Sequence, residues 1–431
     1  MRKLALAVAM SFIVASCGSS ETSSTTAAPA TTAAPAATTA APAPAAADDA
    51  APATVEYSAG ELAAAGKAAA EAAGGPVALP QRTVGFLRYV SESTADQRLA
   101  AALRQSAEAL GWGYLECDAQ GDPSQFDTCG TSLLNQGADV MFTDTVPPTG
   151  FPDTLSRAND EGIPFVNFGG LMTDVECAMF DACYYPDETA LGTTLADHLV
   201  TLLSEGDQMA IWGFPQFWAD TRVQPFRDLI DEKGIDLVED GNSDPANIVG
   251  GSQNAWESKL IQFPDLVAIW VTYDAASYGV ATAVATQYPG ASFPDRPYIG
   301  TFYANQPTLD LMRQGRIDAV AETALEWSVW VALDQVAANA ARGADFSMER
   351  QPTYGGIQFD SPVLVTADNL PPAGEPVPPG VDYVSFFTAK WNAEFGLAAA
   401  GKAAAEAAGG PVELPQRTVG FLRYVSESTA D

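Results

Sequence analysis

The sequence predicts an α/β fold with two doubly wound parallel-sheet lobes. From residue 83 onward, short apolar stretches alternate with amphipathic helical stretches. Strands that are apolar throughout and alternate with such helices indicate parallel sheets that are covered on both faces. The strands fall into two consecutive series, and residues 82–395 are sufficient for two hydrophobic cores. In sheets of this kind a ligand binds beyond the carboxyl ends of the strands.

The first series starts with a β-rich strand at residues 83–90 and a helix at 95–110. This helix has apolar residues at positions 99, 102, 103, 107 and 110, a spacing that places them on one buried face. The remaining elements of the series are strands at 114–117, 139–143 and 164–168, and helices at 126–136 and 151–159.

The second series repeats the alternation over residues 188–321. Its helices are predicted at 188–203, 223–232, 255–262, 276–287 and 306–314. Its strands are predicted at 208–213, 236–238, 268–272, 298–301 and 318–321.

The amino-terminal segment, residues 1–17, has the layout of a secretory signal. A positively charged start is followed by an apolar run at residues 4–14, which is too short to span a membrane stably, and by small residues before Cys17. Residues 14–17 resemble the lipobox of bacterial lipoproteins, in which the cysteine is lipidated after cleavage. This predicts an exported protein anchored to the outer face of the cell membrane through Cys17. The alternative is an ordinary secretory signal with an incidental cysteine.

Two further segments precede the predicted lobes. Residues 18–55 are rich in Ala, Thr and Pro and carry almost no large apolar side chains, which predicts a disordered, extended spacer. Residues 56–81 form a helical lead-in.

Cysteine count and net charge limit the possible functions further. Of the five cysteines, the anchor uses one, which leaves Cys117, Cys129, Cys177 and Cys183 to form disulfides in an oxidising compartment. Three pairings are possible, and short loops favour Cys117–Cys129 and Cys177–Cys183. A metal site fits these spacings poorly.

The net charge of −33 disfavours binding to nucleic acid or to an anionic membrane surface.

Six segments of the chain carry a resemblance to a known family. They are VGFLRYVSESTADQRLAAALRQSAEALGW, GADVMFTD, EGIPFVNF, TRVQPF, FPDLVAIWVTYDAASYGVATA and LMRQGRIDAVAETALEWSVWVALDQVAANAARG. In their order and residue pattern they resemble the ribose- and galactose-binding group of type 1 periplasmic solute-binding proteins, which supply ATP-driven (ABC) importers. The resemblance covers about residues 82–365.

The resemblance implies two lobes, joined by a hinge of three crossings, that close on a solute. Lobe 1 would comprise about residues 82–184 and 324–355, and lobe 2 about residues 185–323 and 356–390. It also implies a monomer that binds no cofactor or metal. Its expected partners are the permease subunits of an ABC importer, and it is expected to be attached to the membrane only through its lipid anchor.

The same resemblance implies a set of ligand-binding residues in the cleft. From the first lobe these are Tyr89, Glu92, Ser93, Asp96, Asp144 and Asn167. From the second lobe and the hinge they are Trp218, Asp220, Arg222, Asn254, Tyr273, Asp274, Tyr303 and Thr323.

The chain departs from the sugar-binding pattern in ways that affect the ligand. Gly169 and Gly170 stand where the sugar binders usually have an Asp-Arg pair, so Arg222 is the one candidate cation among several carboxylates. Carboxylates accept hydrogen bonds from hydroxyls and also attract cations. A sugar or polyol is the expected solute, and a nucleoside or a cationic, amine-bearing solute is the alternative. An anionic ligand is not favoured unless helix amino termini supply the donors.

The sequence predicts a binding protein rather than an enzyme. It contains no phosphate-binding glycine loop and no nucleophile elbow, and its one histidine, His198, lies within a predicted helix. A ligand sensor that presents its closed state to a membrane receptor is the functional alternative to an importer component.

An internal repeat ends the chain. Residues 62–96 recur as 397–431, and of these 35 positions only one differs, Ala78 against Glu413. The copy is interpreted as the truncated start of a second tandem domain, as an assembly artefact of a repetitive gene, or as a strand that exchanges with a neighbouring molecule. It is expected to be loosely packed, because one fold has room for only one first strand.

Overall fold

The computed structural model of the protein describes residues 57–91 and 93–397. The predicted signal segment with Cys17, the spacer at 18–55, the copy at 398–431 and Glu92 lie outside the described residues. Helix α1 (Ala59–Ala72) comes first and is followed by two α/β lobes, each built on one sheet. The predicted fold class is confirmed.

The first lobe contains a five-stranded sheet in which every strand is parallel to its neighbours. The strand order is β2-β1-β3-β4-β5, which places β1 in the interior of the sheet. The strands are β1 (Thr83–Arg88), β2 (Gly113–Asp118), β3 (Val140–Asp144), β4 (Phe165–Phe168) and β5 (Ala182–Tyr184). The helices between them are α2 (Thr94–Leu110), α3 (Phe126–Asn135), α4 (Pro152–Glu161) and the short α5 (Asp174–Cys177).

The second lobe contains a six-stranded sheet of order β11-β10-β9-β8-β6-β7, in which only β11 is antiparallel. Its strands are β6 (Gln208–Gly213), β7 (Asp236–Asn242), β8 (Leu266–Val271), β9 (Tyr298–Phe302), β10 (Ala319–Glu322) and β11 (Val363–Val365). The helices of this lobe are α6 (Glu188–Leu199), α7 (Phe217–Lys233), α8 (Ile248–Gln262), α9 (Asp274–Gln287) and α10 (Gln306–Arg313). Helix α11 (Trp327–Arg342) packs against α2, β4 and β5 of the first lobe, and α12 (Tyr383–Phe395) packs against α1 and α11. Among the described helices, none has both the length and the apolarity to cross a bilayer.

Helix α2 shows how local sequence fixes the first lobe. The Ser93 hydroxyl accepts a hydrogen bond from the Asp96 backbone N–H, which caps the helix start. The helix ends at Gly111, whose φ of 74° is favourable for glycine. Between these caps, an apolar face that includes Leu99, Leu103 and Leu110 is buried against the sheet. The start of α2 therefore lies at the carboxyl end of β1, facing the cleft.

Three chain crossings connect the lobes, and one carboxylate joins all of them. Asp360, which lies just before β11, accepts hydrogen bonds from the Asp187 backbone N–H at 2.7 Å and from the Thr323 hydroxyl at 2.6 Å. Asp187 follows β5 and Thr323 follows β10, so these contacts come from the two other crossings. The hinge is therefore held by hydrogen bonds as well as by chain connectivity.

Helices α1 and α12 form an additional layer outside the two sheets. They cross closely at Gly66, where a Cβ atom would lie 2.3 Å from the Phe386 carbonyl oxygen. The Trp391 ring of α12 stacks on Trp330 of α11 at 5.1 Å. The range 356–390 therefore contributes β11 to the second sheet and most of α12 to a layer against α11.

Two disulfides are present in the first lobe. Cys117 bonds to Cys129, which ties β2 to α3, and Cys177 bonds to Cys183, which ties α5 to β5. These are the two pairings that loop length favours, so this prediction is confirmed.

Candidate functional site

A cavity lies between the lobes, beyond the carboxyl ends of the strands. It encloses about 40 Å³. The first lobe lines it with Tyr89, Ala95, Asp96, Leu99, Thr145, Gly169 and Gly170. The second lobe and the crossings line it with Glu188, Phe214, Gln216, Trp218, Tyr273, Tyr303 and Leu325. Because both lobes supply walls, a bound solute would stabilise their closure.

The two lobes are in direct contact beside this cavity. The Thr94 hydroxyl on α2 donates to Asp274 Oδ2 on α9 at 2.5 Å, and it lies 2.9 Å from the Tyr278 hydroxyl. Arg98 of α2 reaches Glu322 at the end of β10, with 2.8 Å between Nη2 and Oε1. The lobes are therefore closed on each other in this structure.

Aromatic rings form one wall of the cavity. Phe214, Trp218 and Tyr273 pack as a triangle, with ring centroids 5.1 to 5.6 Å apart. Trp218 and Tyr273 follow the ends of β6 and β8, where the sequence predicts cleft residues. Such rings can stack on the apolar face of a sugar ring or receive a cation on their π-face.

Strained backbone also concentrates at the cavity. Thr145 and Tyr303 have φ values of 58° and 64°, in the left-handed region that non-glycine residues rarely adopt. A β-branched residue such as Thr145 has a high cost in this conformation, and such strain clusters at functional sites. Gly170 lies so close to Thr145 that a Cβ atom would be 1.9 Å from its Cγ2. This close approach explains why position 170 is a glycine, whereas the sugar-binding proteins usually have an Asp-Arg pair at positions 169 and 170.

Three carboxyl groups converge beside the cavity. Asp96 lines it directly, and its pKa is raised well above the usual range by burial and by the charges of Asp144 and Asp274. Asp144 Oδ1 accepts from the Tyr89 backbone N–H at 2.9 Å, while Oδ2 is buried without a partner. Asp274 accepts from Thr94 and from Asn305 Nδ2 through Oδ2, while its Oδ1 is buried without a partner. Asp144 and Asp274 do not line the cavity, so Asp96 is the member of this group that can meet a ligand directly.

A buried ion pair supports the opposite wall. Glu188 Oε2 accepts from Arg222 Nε at 2.8 Å, and both side chains have no exposed surface. Arg222 Nη2 also donates to the Tyr303 hydroxyl at 2.6 Å, and the guanidinium lies over the Trp218 ring at 4.7 Å. Arg222 therefore holds three cavity residues in place.

The structure brings together most of the residues that the sequence predicts for the site. Tyr89, Asp96, Trp218, Tyr273 and Tyr303 line the cavity. Residues in a supporting position behind it are Ser93, Asp144, Asn167, Arg222, Asp274 and Thr323. Asp220 and Asn254 are exposed on α7 and α8 and do not line the cavity.

Sequence reasoning missed several cavity residues. Glu188, Phe214, Gln216 and Thr145 were not among the predicted contacts. Phe214 and Thr145 directly follow β6 and β3, so the rule that ligands gather at carboxyl strand ends could have found them. Glu188 is the first residue of α6, after a crossing between the lobes. Its position at the cavity depends on its ion pair with Arg222, which is 34 residues away in the sequence.

Metal binding has no support in this part of the chain. Over residues 57–91 and 93–397, no cluster of three or more His, Cys, Asp or Glu side chains is arranged to hold an ion. His198 lies on α6 with Nε2 2.7 Å from the Tyr298 hydroxyl, as a hydrogen-bonded helix residue.

The buried carboxyls predict how stability depends on pH. Burial raises the pKa of Asp144 to about 8 and that of Glu188 to about 7. The folded state therefore binds more protons than the unfolded state, so the free energy of unfolding of the unliganded protein should fall as pH rises from about 4 to about 8. Urea unfolding at a series of pH values measures this. Asp144→Asn should reduce the fall and Asp153→Asn, at an exposed site, should not; stability that rises over this range would contradict the assignment.

Comparisons with known proteins agree with this architecture. A model of the family described as "Periplasmic binding protein domain" matches residues 84–344. No curated protein matches the chain by sequence.

Several solved structures of similar fold are those of solute-binding proteins. A galactofuranose-binding protein is 18% identical with a TM-score of 0.58, and the match covers 67% of this chain and 95% of that one. The binding protein of the arabinose ABC transporter from Shewanella sp. ANA-3 is 19% identical with a TM-score of 0.57, covering 66% and 92%. A Mycobacterium smegmatis ABC transporter solute-binding protein with bound glycerol is 20% identical with a TM-score of 0.57, covering 68% and 96%. Since the family match extends over more than half of the chain, this protein belongs to the periplasmic binding protein domain family.

Proposed function

We propose that this protein is an extracytoplasmic, lipid-anchored solute-binding protein that captures a small polar solute, a sugar or polyol, and delivers it to an ABC importer. The observation that carries the proposal is the cavity between the lobes, which combines aromatic faces with the carboxyl groups of Asp96 and Glu188, the latter with Oε1 buried and unpartnered. Aromatic faces and hydrogen-bond acceptors together suit a hydroxylated solute. Members of the family bind solutes and are not enzymes.

The fold neighbours support the solute class. Their bound or named solutes are galactofuranose, arabinofuranose, glycerol and, in a protein from Bacillus halodurans, myo-inositol. All are small and carry several hydroxyl groups. The lipid anchor is supported by the sequence around Cys17, and it would keep the binding protein beside the membrane that houses the importer.

Closure by solute follows from the contacts between lobes. The enclosed 40 Å³ is enough for only a few water molecules, so a solute of the size of a sugar enters only when the lobes separate. The Thr94–Asp274 hydrogen bond breaks on opening and is available to reform around a bound solute. The solute then adds contacts to both lobes, which shifts the equilibrium toward the closed state.

A thermal-shift screen tests the proposal. Sugars, polyols, nucleosides and polyamines are added to the full chain, and a tight solute should raise the melting temperature by mass action. Trp218→Ala should weaken binding of the best solute roughly thirtyfold, since loss of a central aromatic contact costs about 2 kcal/mol.

Phe217→Ala is the matched control for Trp218→Ala. Phe217 precedes Trp218 on α7 but is 48% exposed and does not line the cavity. Its replacement should leave the shift intact. Stabilisation by anions alone, or an equal loss in both variants, would contradict the proposed site and solute class.

A further inference from the structure

The charges at the cavity surface are all of one sign. Apart from tyrosines, the ionisable side chains that line the cavity are those of Asp96 and Glu188. The lining contains no Lys, Arg or His. The cavity therefore offers a solute carboxylate acceptors and no cationic donor.

Arg222, the one predicted cation of the site, is fully engaged by the protein. Its Nε donates to Glu188 Oε2, its Nη1 to the Thr272 carbonyl oxygen at 2.8 Å, and its Nη2 to the Tyr303 hydroxyl. The pair that it makes with Glu188 is neutral as a unit. Arg222 therefore does not compensate the charge of Asp96.

Arg88 and Arg98 are the other cations near these carboxyl groups. Arg88 Nη1 donates to Glu116 Oε1 at 2.8 Å on the neighbouring strand β2, while its Nε and Nη2 are buried without a hydrogen-bond partner. Arg98 pairs with Glu322 and Glu326. Asp96, Asp144 and Asp274 then remain as three buried carboxyls that repel one another, and the pKa of Asp96 is raised by burial and by the other two charges. Arg88 opposes this rise for Asp96 and Asp144, but the three buried carboxyl groups outnumber it, and the excess negative charge is costly inside a protein.

Several buried carboxylate oxygens lack a hydrogen-bond donor, and this indicates which kind of solute group they would bind. Glu188 Oε1 is buried at the cavity without a hydrogen bond, and so are Asp144 Oδ2 and Asp274 Oδ1 behind Asp96. A neutral polyol needs acceptors and donors in similar number, because each hydroxyl both donates and accepts. A protonated amine only donates, and its charge also offsets that of the carboxyl group.

We infer that the solute is a small hydroxylated amine, whose ammonium group is held by the Asp96 carboxylate while its other donors reach Glu188 Oε1. This inference rests on the proposed solute-binding function and narrows it to a cationic solute. The aromatic triangle of Phe214, Trp218 and Tyr273 supports the same charge, because the π-face of an aromatic ring attracts a cation.

Matched pairs of solutes test the inference. Calorimetric titration of the full chain near neutral pH compares serinol with glycerol and glucosamine with glucose, since in each pair an amine replaces one hydroxyl. The amine of at least one pair should bind about tenfold tighter, the factor by which a hydrogen bond to a charged group typically exceeds a neutral one.

Two substitutions in α2 distinguish the effect of the Asp96 charge on solute binding from the effect of the protein's overall negative charge. Asp96→Asn should abolish the preference for the amine while leaving the fold intact, because it removes a buried charge from the cavity wall and keeps the size of the side chain. Glu108→Gln removes one charge from an exposed position of the same helix and should keep the preference.

Each outcome has a distinct meaning. If the neutral member of the pairs binds as tightly as the amine, or if Asp96→Asn keeps the preference, the inferred charge is overturned and the proposed polyol binding stands. If no member binds and no other polyol or amine does, the proposed function is overturned as well.

Discussion

Replacing Arg222 by methionine is expected to lower the free energy of unfolding by about 3–5 kcal/mol and to abolish solute binding. The guanidinium has no exposed surface, and its removal leaves the Glu188 carboxylate and the Tyr303 hydroxyl buried without their donor. Trp218 also loses the cation that lies over its ring. Urea unfolding measures the first effect, and calorimetric titration with the best solute measures the second.

Arg227→Met is the control for this prediction. Arg227 lies one turn and a half further along α7 and pairs with Asp240 at a partly exposed site. A surface pair of this kind contributes about 0–1 kcal/mol, so the control should unfold nearly as the unchanged protein does and should bind solute normally. Equal effects of the two substitutions would show that Arg222 is not the support of the cleft.

Replacing Lys390 by methionine should destabilise the protein by about 3–5 kcal/mol without changing the cleft. Lys390 Nζ lies 2.7 Å from Asp334 Oδ1 on α11 and 2.6 Å from Glu394 Oε2 on α12. All three side chains are buried. Methionine fills a similar volume but leaves two buried carboxylates without their shared cation.

Lys67→Met provides the comparison for Lys390. Lys67 is exposed on α1, so its replacement should change the free energy of unfolding by less than about 0.5 kcal/mol. Solute affinity of the Lys390 variant should stay unchanged at temperatures where it is folded. A Lys390 variant as stable as the unchanged protein would contradict the stabilising role assigned to the buried Lys390 charge.

The alternating pattern of the sequence predicted both sheets because each strand is short, apolar and followed by a helix. Element bounds were less predictable. Helix α8 begins at Ile248 rather than at residue 255, since Gly250 and Gly251 weaken the helical pattern at its start. The layer formed by α1 and α12 was not predicted as a pair, because its partners are separated by the whole of both lobes.

The site was predictable where residues follow strand ends. Trp218 and Tyr273 were placed in the cleft by this rule, and both line the cavity. Arg222 was expected to face the solute, but in the structure its donors are used by Glu188, Thr272 and Tyr303. Such an engagement depends on contacts across sequence separations of 34, 50 and 81 residues, which a local pattern does not encode.

Calorimetric titration of the full chain with the best solute from the screen, beside Trp218→Ala and Phe217→Ala, tests the central claim of solute capture between the lobes most directly. We expect one solute per protein molecule, with affinity lost in the Trp218 variant and kept in the Phe217 variant. Binding of equal strength in all three proteins would place the solute outside the cleft and contradict the account.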